Sequence, residues 1–232
     1  NIALDNLGYA KRDYNEVHPN HAVNMAQSTI NVYPTAIRLG LLLGHNQLLS
    51  SLEQLVDAFK AKATEFDHIL KMGRTQLQDA VPMTLGQEFH AFATNLEEDL
   101  VRLRTLVPEI MCEMNLGGTA IGTGINADPA YQALAVRALA QVSGQPVKAA
   151  SDLVEATSDM GDFILHSGML KRTAMKLSKI CNDLRLLSSG PRTGINEINL
   201  PPRQPGSSIM PGKVNPVIPE AVNQVAFQIV GN

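Results

Sequence analysis

The ten-residue segment Gly206–Asn215 holds the residue types in this chain best suited to chemistry. It reads Gly-Ser-Ser-Ile-Met-Pro-Gly-Lys-Val-Asn. Lys213 supplies a point charge and Asn215 a directed donor, so that together with nearby backbone N–H groups they can bind a carboxylate. A serine of the pair Ser207-Ser208 can act as a nucleophile or, if its alkoxide is stabilised, as a base. The alternative on the residues alone is an ordinary surface loop.

Two further polar segments are candidates for binding. Gln27-Ser28-Thr29 precedes a predicted helix start at Pro34-Thr35, where free N–H groups and the positive end of the helix dipole attract anions. Simple capping by these hydroxyls is the favoured reading there. The segment Gly73–Ala80 is unusually polar for a connection between helices. It is interpreted either as a binding segment or as a turn closed by an Arg74–Asp79 ion pair.

Composition and charge exclude several classes of protein. The 232 residues include 19 basic and 22 acidic side chains, a net charge of −3, and 44% are apolar, which argues for a globular protein and against a dedicated nucleic-acid binder. Two cysteines exclude a disulfide scaffold and a cysteine-rich zinc module. No apolar run reaches the roughly 18 residues of a membrane span. We expect a cytoplasmic protein, and the six histidines show no metal-binding pattern, so we assign no metal and no cofactor.

The elements that must position these residues are predicted to be long helices. Apolar residues recur at intervals of three and four along 52–66 and 89–106, and capping boxes are predicted at Ser50/Glu53 and Thr84/Gln87. A further helix is predicted over 153–187, with an interruption near Gly161 or Gly168, and no strand is expected. A loop of some thirty residues follows from Ser188. The pattern predicts an all-α, long-helix bundle whose wide apolar faces meet in a homo-oligomer.

Both ends of the chain have the pattern of interior sequence. Asn1 is followed directly by the helical pattern of Ile2, Leu4 and Leu7, and the chain ends straight after the helical run 221–230. We therefore expect residues 1–232 to be the middle portion of a longer protein.

Read together, the polar segments resemble the signature sequences of the aspartase/fumarase superfamily. The segment 206–225 is similar to the signature loop and its continuation, and 73–82, 115–124 and 178–191 match as well. The run after Asn215-Pro216, and Gln76 where fumarases usually carry histidine, resemble the aspartate ammonia-lyase branch. The resemblance covers essentially the whole chain.

The resemblance implies a fold, an assembly and a reaction. Residues 1–232 would be the central helical-bundle domain of a homotetramer, with the family's N-terminal and small C-terminal domains absent from this chain. Each active site would collect segments from three subunits. The reaction would be a reversible anti elimination of ammonia from L-aspartate, giving fumarate through an aci-carboxylate intermediate.

The resemblance also implies a role for each matching residue. Ser207 would be the catalytic base on a mobile loop, which requires a strongly shifted pKa in a closed site. Lys213 and Asn215 would hold the carboxylate that takes up charge, with Thr75 assisting. Ser28, Thr29 and Ser208 would hold the distal carboxylate, and Gln76 would be a further substrate-binding residue.

One position departs from the family pattern. The usual run Gln-Ser-Thr-Asn-Asp reads Gln27-Ser28-Thr29-Ile30-Asn31 here, so Ile30 replaces an asparagine that would contact the substrate amino group. Losing such a hydrogen bond to a charged group weakens the interaction with the substrate by about 1.5–3 kcal/mol. Three readings stay open: an aspartate ammonia-lyase, a fumarate hydratase or another fumarate-releasing lyase, and an oligomeric helical scaffold whose catalysis is impaired.

Overall fold

A computed structural model describes all residues from 1 to 232, and the chain divides into two compact units. The first unit comprises residues 1–46 and 106–162, and the second comprises 47–105 and 163–232. The single helical domain predicted for 1–232 stays a prediction.

Helices dominate the chain, which confirms the predicted fold built on long helices. The seven α-helices are α1 (Ile2–Leu7), α2 (Thr29–Glu65), α3 (Leu85–Met111), α4 (Tyr131–Ser143), α5 (Glu155–Ser158), α6 (Gly161–Leu187) and α7 (Val217–Gly231), with a short π-helical segment at Pro19–Val23. The predicted interruption of the helix over 153–187 is confirmed, because α5 and α6 are separated by Asp159 and Met160. The helix α4 ends at Gly144, whose left-handed φ of 65° is a conformation that glycine adopts readily.

The helix α2 begins earlier than the sequence predicts. It runs unbroken from Thr29 to Glu65, so the predicted starts at Pro34-Thr35 and at Ser50 are both wrong. Pro34 lies inside the helix and has no N–H to donate to the carbonyl of Ile30. That carbonyl accepts instead from the Nδ2 of Asn115 at 3.0 Å. A distant side chain therefore compensates for the proline, which no local pattern could reveal.

An antiparallel hairpin contradicts the expectation that the chain has no strands. Its strands are β1 (Leu70–Thr75) and β2 (Gln78–Thr84), while β3 (Glu113–Met114) and β4 (Lys148–Ala149) form a two-residue parallel pair. The hairpin is largely exposed and shows no alternation between an apolar and a polar face. Its turn lacks the Asn-Gly signal typical of such hairpins. The sequence therefore offered none of the usual signs of strand structure.

The apolar stripes predicted on α2 and α3 form the core of the second unit. Phe59 packs edge-on against Phe92 with ring centroids 5.7 Å apart, and Phe66 against Phe89 at 5.2 Å. The capping box at the start of α3 is confirmed, because the Thr84 N–H donates to Gln87 Oε1 at 3.0 Å and the Gln87 N–H to Thr84 Oγ1 at 3.1 Å. The buried cluster comprises Val56, Phe59, Ala63, Leu85, Phe89, Phe92, Ala93, Leu96 and Ile180.

A buried carboxylate joins α3 to α6 in the same unit. Asp99 is fully buried, and its oxygens lie 2.8 Å from Lys176 Nζ, 3.0 Å from an Arg172 amine and 3.1 Å from the Thr173 hydroxyl, which donates to it. A buried charge with this many donors is tolerated, whereas an unpaired one is strongly destabilising. The pairing keeps α6 in register with α3, and α6 leads directly into the loop 188–216.

Candidate active site

The segment Gly206–Asn215 forms a loop folded back on itself. A Cβ added to Gly206 would lie 2.7 Å from the carbonyl oxygen of Lys213, so only glycine permits this approach of the two ends of the loop. Two backbone hydrogen bonds span the interior: Met210 N–H to Ser207 O at 3.0 Å, and Lys213 N–H to Met210 O at 3.2 Å. The folding of the loop therefore brings the backbone around the serine pair close to the backbone of Lys213.

The chemical side chains of this loop are exposed. Ser207, Ser208, Lys213 and Asn215 all present accessible side chains, and the Ser207 Oγ has one close contact, accepting from the Ile209 N–H at 3.4 Å. Lys213 and Asn215 line a cavity of about 330 Å³ together with Asn196, Asn199 and backbone near the end of α6. This cavity offers one cation and several amides, a donor set suited to an anion.

Thr75 and Gln76 lie at the tip of the hairpin. Thr75 pairs with Gln78, and the two residues between them, Gln76 and Leu77, have φ angles of 51° and 62°. These left-handed values are those of a two-residue type I′ turn, which favours glycine or asparagine. The tip therefore keeps a conformation that its residue types disfavour, and Gln76 and Leu77 line a second cavity of about 310 Å³.

Four charged residues tie this hairpin to the loop 188–216; we call Lys71, Arg74, Glu88 and Glu197 the Glu197 cluster. Arg74 Nη2 lies 2.5 Å from Glu197 Oε1, and Lys71 Nζ lies 3.0 Å from Glu197 Oε2. Lys71 also pairs with Glu88 at the start of α3. The predicted Arg74–Asp79 pair is present as well, with Nε and Oδ1 3.7 Å apart across the two strands.

The electrostatics of the cluster favour its charged form. Burial alone would raise the pKa of Glu197, but the hydrogen bonds from Arg74 and Lys71 outweigh burial and hold that pKa below its ordinary value. The hydrogen bond to Glu197 raises the pKa of Arg74 in turn. Only 7% of the Lys71 side chain is exposed, and Glu197 is 20% exposed. Partial burial strengthens these pairs relative to ion pairs fully in water.

Ser28 and Thr29 lie at the start of α2, in the first unit. Ser28 caps the helix, since its Oγ accepts from the Ile30 N–H at 3.4 Å and its own N–H donates to Asn31 Oδ1 at 2.9 Å. The predicted capping is therefore confirmed for Ser28, and the Thr29 side chain stays exposed. Asn31 is fully buried, and its Nδ2 has no hydrogen-bond partner.

The structure brings the predicted residues together in part. Ser207, Ser208, Lys213 and Asn215 share one folded loop, Thr75 and Gln76 share the hairpin tip, and Ser28 and Thr29 belong to the other unit. The loop residues and the hairpin tip line different cavities, and neither Ser207 nor Ser208 lines either one. The candidate site within the second unit is thus in two parts, joined through Glu197.

Sequence reasoning did not identify Glu197 or Asn115 as structural links. Glu197 had one visible signal, because it is the only acidic residue between Ser188 and Pro216. A lone carboxylate in a loop with three basic residues invites an ion pair. Asn115 stands at the start of the glycine-rich run 117–124, but its partner carbonyl is identified only by the fold.

The chain belongs to a family of lyases. The profile of the family described as "Lyase" matches residues 2–231, which is nearly the whole chain. The resemblance carried by the polar segments is thereby confirmed.

Two relatives with curated names are both aspartate ammonia-lyases. The aspartate ammonia-lyase of Pseudomonas aeruginosa is 77% identical over all 232 residues of this chain, which cover 49% of that protein. The aspartate ammonia-lyase of Escherichia coli K12 is 56% identical over the same 232 residues, covering 48% of its length. The chain spans about half the length of the curated relatives it matches.

Solved structures share the fold. A fumarate lyase:delta crystallin from Brucella melitensis, bound to cobalt, superposes with a TM-score of 0.95 at 60% identity, covering 99% of this chain and 50% of that one. A class II fumarase from Schistosoma mansoni superposes with a TM-score of 0.88 at 36% identity, covering 93% of this chain and 48% of that one. None of the helices in the structure is long and apolar enough to cross a membrane.

Proposed function

We propose that the protein containing this chain is an aspartate ammonia-lyase, which eliminates ammonia from L-aspartate to give fumarate. The observation that carries the proposal is the 77% identity to aspartate ammonia-lyases over all 232 residues of the chain. The 36% identity to a fumarase is markedly lower. Gln76 at the hairpin tip, where fumarases usually carry histidine, favours the same choice.

Ser207 is the proposed base. It removes the proton next to one carboxylate of L-aspartate, leaving a carbanion delocalised into that carboxylate as an aci-carboxylate. Ammonia then leaves from the opposite face, giving fumarate. The exposed, sparsely bonded Ser207 side chain supports a base on a loop that closes over the substrate.

Lys213 and Asn215 hold the carboxylate that takes up negative charge, with Thr75 assisting, and Gln76 is a further substrate-binding residue. A fixed cation and aligned donors stabilise this charge more in the transition state than in the substrate, which is the condition for faster chemistry. The shared cavity of Lys213 and Asn215 supports their acting as one unit.

Ser28, Thr29 and Ser208 bind the distal carboxylate. The capped N-terminus of a 37-residue helix supports this role for the first two, because free N–H groups and the helix dipole favour an anion there. The proposal includes the homotetramer that the family resemblance implies, with sites that combine segments from three subunits, and such sites would explain why these residues and those of the loop lie far apart in sequence. A cytoplasmic location follows from this metabolic activity and is part of the proposal.

Ile30 is the feature that weighs against full activity on L-aspartate. Its side chain is 46% exposed beside Ser28 and Thr29, and it offers no hydrogen bond to an ammonium group. The backbone at this position is fixed by Asn115. The proposed consequence is a weakened contact with the amino group in an otherwise assembled site.

The test is fumarate formation, followed by ultraviolet absorbance, from L-aspartate and from L-malate side by side. The enzyme should be the longest natural chain that contains residues 1–232. Fumarate from L-aspartate alone supports the proposal. Fumarate from L-malate alone indicates a hydratase, and fumarate from neither, with a folded tetramer, indicates an altered substrate or an inactive scaffold.

A further inference from the structure

The Glu197 cluster connects the hairpin tip to the loop 188–216 of the same chain, two segments that the proposed tetramer uses in its active sites. Arg74 directly precedes Thr75 at the hairpin tip, and Glu197 lies ten residues before Ser207 in the loop 188–216. The 2.5 Å contact between Arg74 and Glu197 is therefore a direct bridge between the strand that carries Thr75 and Gln76 and the loop that carries Ser207 and Lys213.

Glu197 is held both by ion pairs of its side chain and by hydrogen bonds of the backbone. Each carboxylate oxygen of Glu197 forms an ion pair: Oε1 pairs with Arg74, and Oε2 pairs with Lys71. The backbone on either side of this carboxylate is also held. The Glu197 N–H donates to Leu187 O at 2.8 Å at the end of α6, and the Asn196 N–H donates to Ser189 O at 3.0 Å. Glu197 is thus fixed to α6 through its backbone and to the hairpin through its side chain.

The hairpin needs such support. Its tip keeps left-handed φ angles at Gln76 and Leu77, and residues 75–82 are exposed, with little apolar burial to define their position. Conformations of this kind persist only where the surroundings over-determine them. The surrounding contacts here are ion pairs. Lys71 pairs with Glu88 and Glu197, and Arg74 pairs with Asp79 and Glu197.

We propose that Glu197 is a positioning residue for the lyase reaction: it fixes the Thr75–Gln76 tip to α6 and to the loop 188–216 of its own chain, and so holds the tip in place for the site of the tetramer that it completes. This inference rests on the proposed function. Glu197 itself touches no reacting atom in this account. It acts through Arg74 and Lys71, so its removal displaces donors that meet the charge developing on the substrate carboxylate.

The test compares Glu197→Gln with wild type in the longest natural chain that contains residues 1–232. Glutamine keeps the shape and removes the charge. Because a displacement of about 1 Å costs on the order of 100-fold in rate, we expect kcat for L-aspartate to fall by about that factor while KM changes less than roughly threefold. Glu197→Asp keeps the charge and should recover part of kcat.

The control is Glu97→Gln, which removes another carboxylate paired with a lysine of the same unit. Glu97 lies 2.6 Å from Lys60 on the core helices and has no contact with the hairpin tip. Its kcat should stay within about twofold of wild type, since half-exposed pairs contribute little. If Glu197→Gln keeps a wild-type kcat, or if Glu97→Gln loses as much, the positioning role is overturned.

Amide hydrogen exchange separates this inference from the proposed function. Glu197→Gln should accelerate exchange of the Gly73–Ala80 amides while the α2 and α3 core amides stay protected. This readout needs no substrate, so it tests the bridge even if the wild-type protein releases no fumarate from L-aspartate. Unchanged exchange at the tip would contradict the proposal whatever the enzyme does.

Discussion

The hairpin Leu70–Thr84 and the loop Gly206–Asn215 both carry parts of the proposed site, but different forces hold them. Lys71 and Arg74 on the hairpin make ion pairs with Glu88, Asp79 and Glu197. The loop is closed by backbone hydrogen bonds and the close approach at Gly206, and its serine, lysine and asparagine side chains stay exposed. The hairpin is therefore suited to hold a substrate group in place, and the loop to move a base onto it.

The largest expected effect is the loss of the proposed base. Ser207→Ala should lower kcat for L-aspartate by roughly 10²–10⁴-fold, the range for one acid–base group. The unfolding free energy should change by no more than about 0.5 kcal/mol, because the side chain is exposed. Initial rates of fumarate formation and thermal unfolding measure the two quantities. Ser208→Ala is the comparison variant: it removes a proposed ligand of the distal carboxylate and should mainly raise KM, so a loss of kcat as large as that of Ser207→Ala would remove the special role of Ser207.

Two lysines, one in each region, sharpen the comparison. Lys213→Met should lower kcat by on the order of 100-fold, as loss of an oxyanion donor does, with stability nearly unchanged. Lys71→Met should also lower kcat, because Glu197 acts partly through Lys71, but it should in addition cost about 3 kcal/mol of unfolding free energy, because Glu88 and Glu197 lose their buried cation. Chemical denaturation and steady-state kinetics on both variants test this difference in stability. A large loss of stability in Lys213→Met would show that the loop is as tightly held as the hairpin.

The start of α2 extends the comparison to the first unit. Ile30→Asn should raise kcat/KM for L-aspartate by roughly 10–100-fold, the equivalent of regaining a hydrogen bond to a charged group of about 1.5–3 kcal/mol. The exchange should leave the backbone in place, since Asn115 holds the Ile30 carbonyl. Ile30→Ala removes the side chain without adding a donor and serves as control. Equal rates in the two variants would contradict a contact between this position and the amino group.

The link between Asn115 and the helix start has its own test. Asn115→Leu removes the side chain that donates to the Ile30 carbonyl in place of the missing N–H of Pro34. The free energy of unfolding should therefore fall by about 1–3 kcal/mol. Adding Pro34→Ala restores a local donor, and the double variant should regain part of the stability. Urea denaturation of the two variants measures this. Additive destabilisation would show that the two residues are not coupled.

The smallest expected effect is the pH dependence of the Glu197 cluster. Because the pKa of folded Glu197 lies below its ordinary value of 4.5, its contribution to stability is complete above pH 4.5 and is lost as the pH falls through the lowered pKa. The stability difference between wild type and Glu197→Gln should therefore be constant at neutral pH and shrink below pH 4.5. Denaturation midpoints at several pH values measure it, and a difference that grows towards acid pH would refute the assignment.

The sequence predicted what periodic burial determines and missed what long-range pairing determines. The stripes on α2 and α3 and the capping box at Thr84 follow from local pattern, and the structure confirms them. The hairpin has no buried face, so its strands left no alternating pattern. The unbroken course of α2 through Pro34 depends on Asn115, 81 positions later in the chain.

The same distinction holds for the candidate site: its residue types could be predicted from the sequence, but its contacts between distant residues could not. Before any fold was known, the residue types of Gly206–Asn215 indicated carboxylate binding, and those of Gly73–Ala80 indicated either a binding segment or a turn closed by an ion pair. Their assignment to base and ligands came from resemblance, and it stays a prediction. The Glu197 bridge could not be derived from spacing, because Arg74 and Glu197 are 123 positions apart. Only the fold shows that Glu197 pairs with Lys71 and Arg74 on the hairpin, although its own loop contains three basic residues.

The most direct test of the central claim is the reverse reaction in deuterated water. The longest natural chain containing residues 1–232, supplied with fumarate and ammonium and followed by proton NMR, should form L-aspartate with one deuterium at C3. The product should be a single diastereomer in which deuterium and nitrogen were added to opposite faces, as an anti elimination run backwards requires. Malate as the product, or aspartate as a mixture of both diastereomers, would contradict the account.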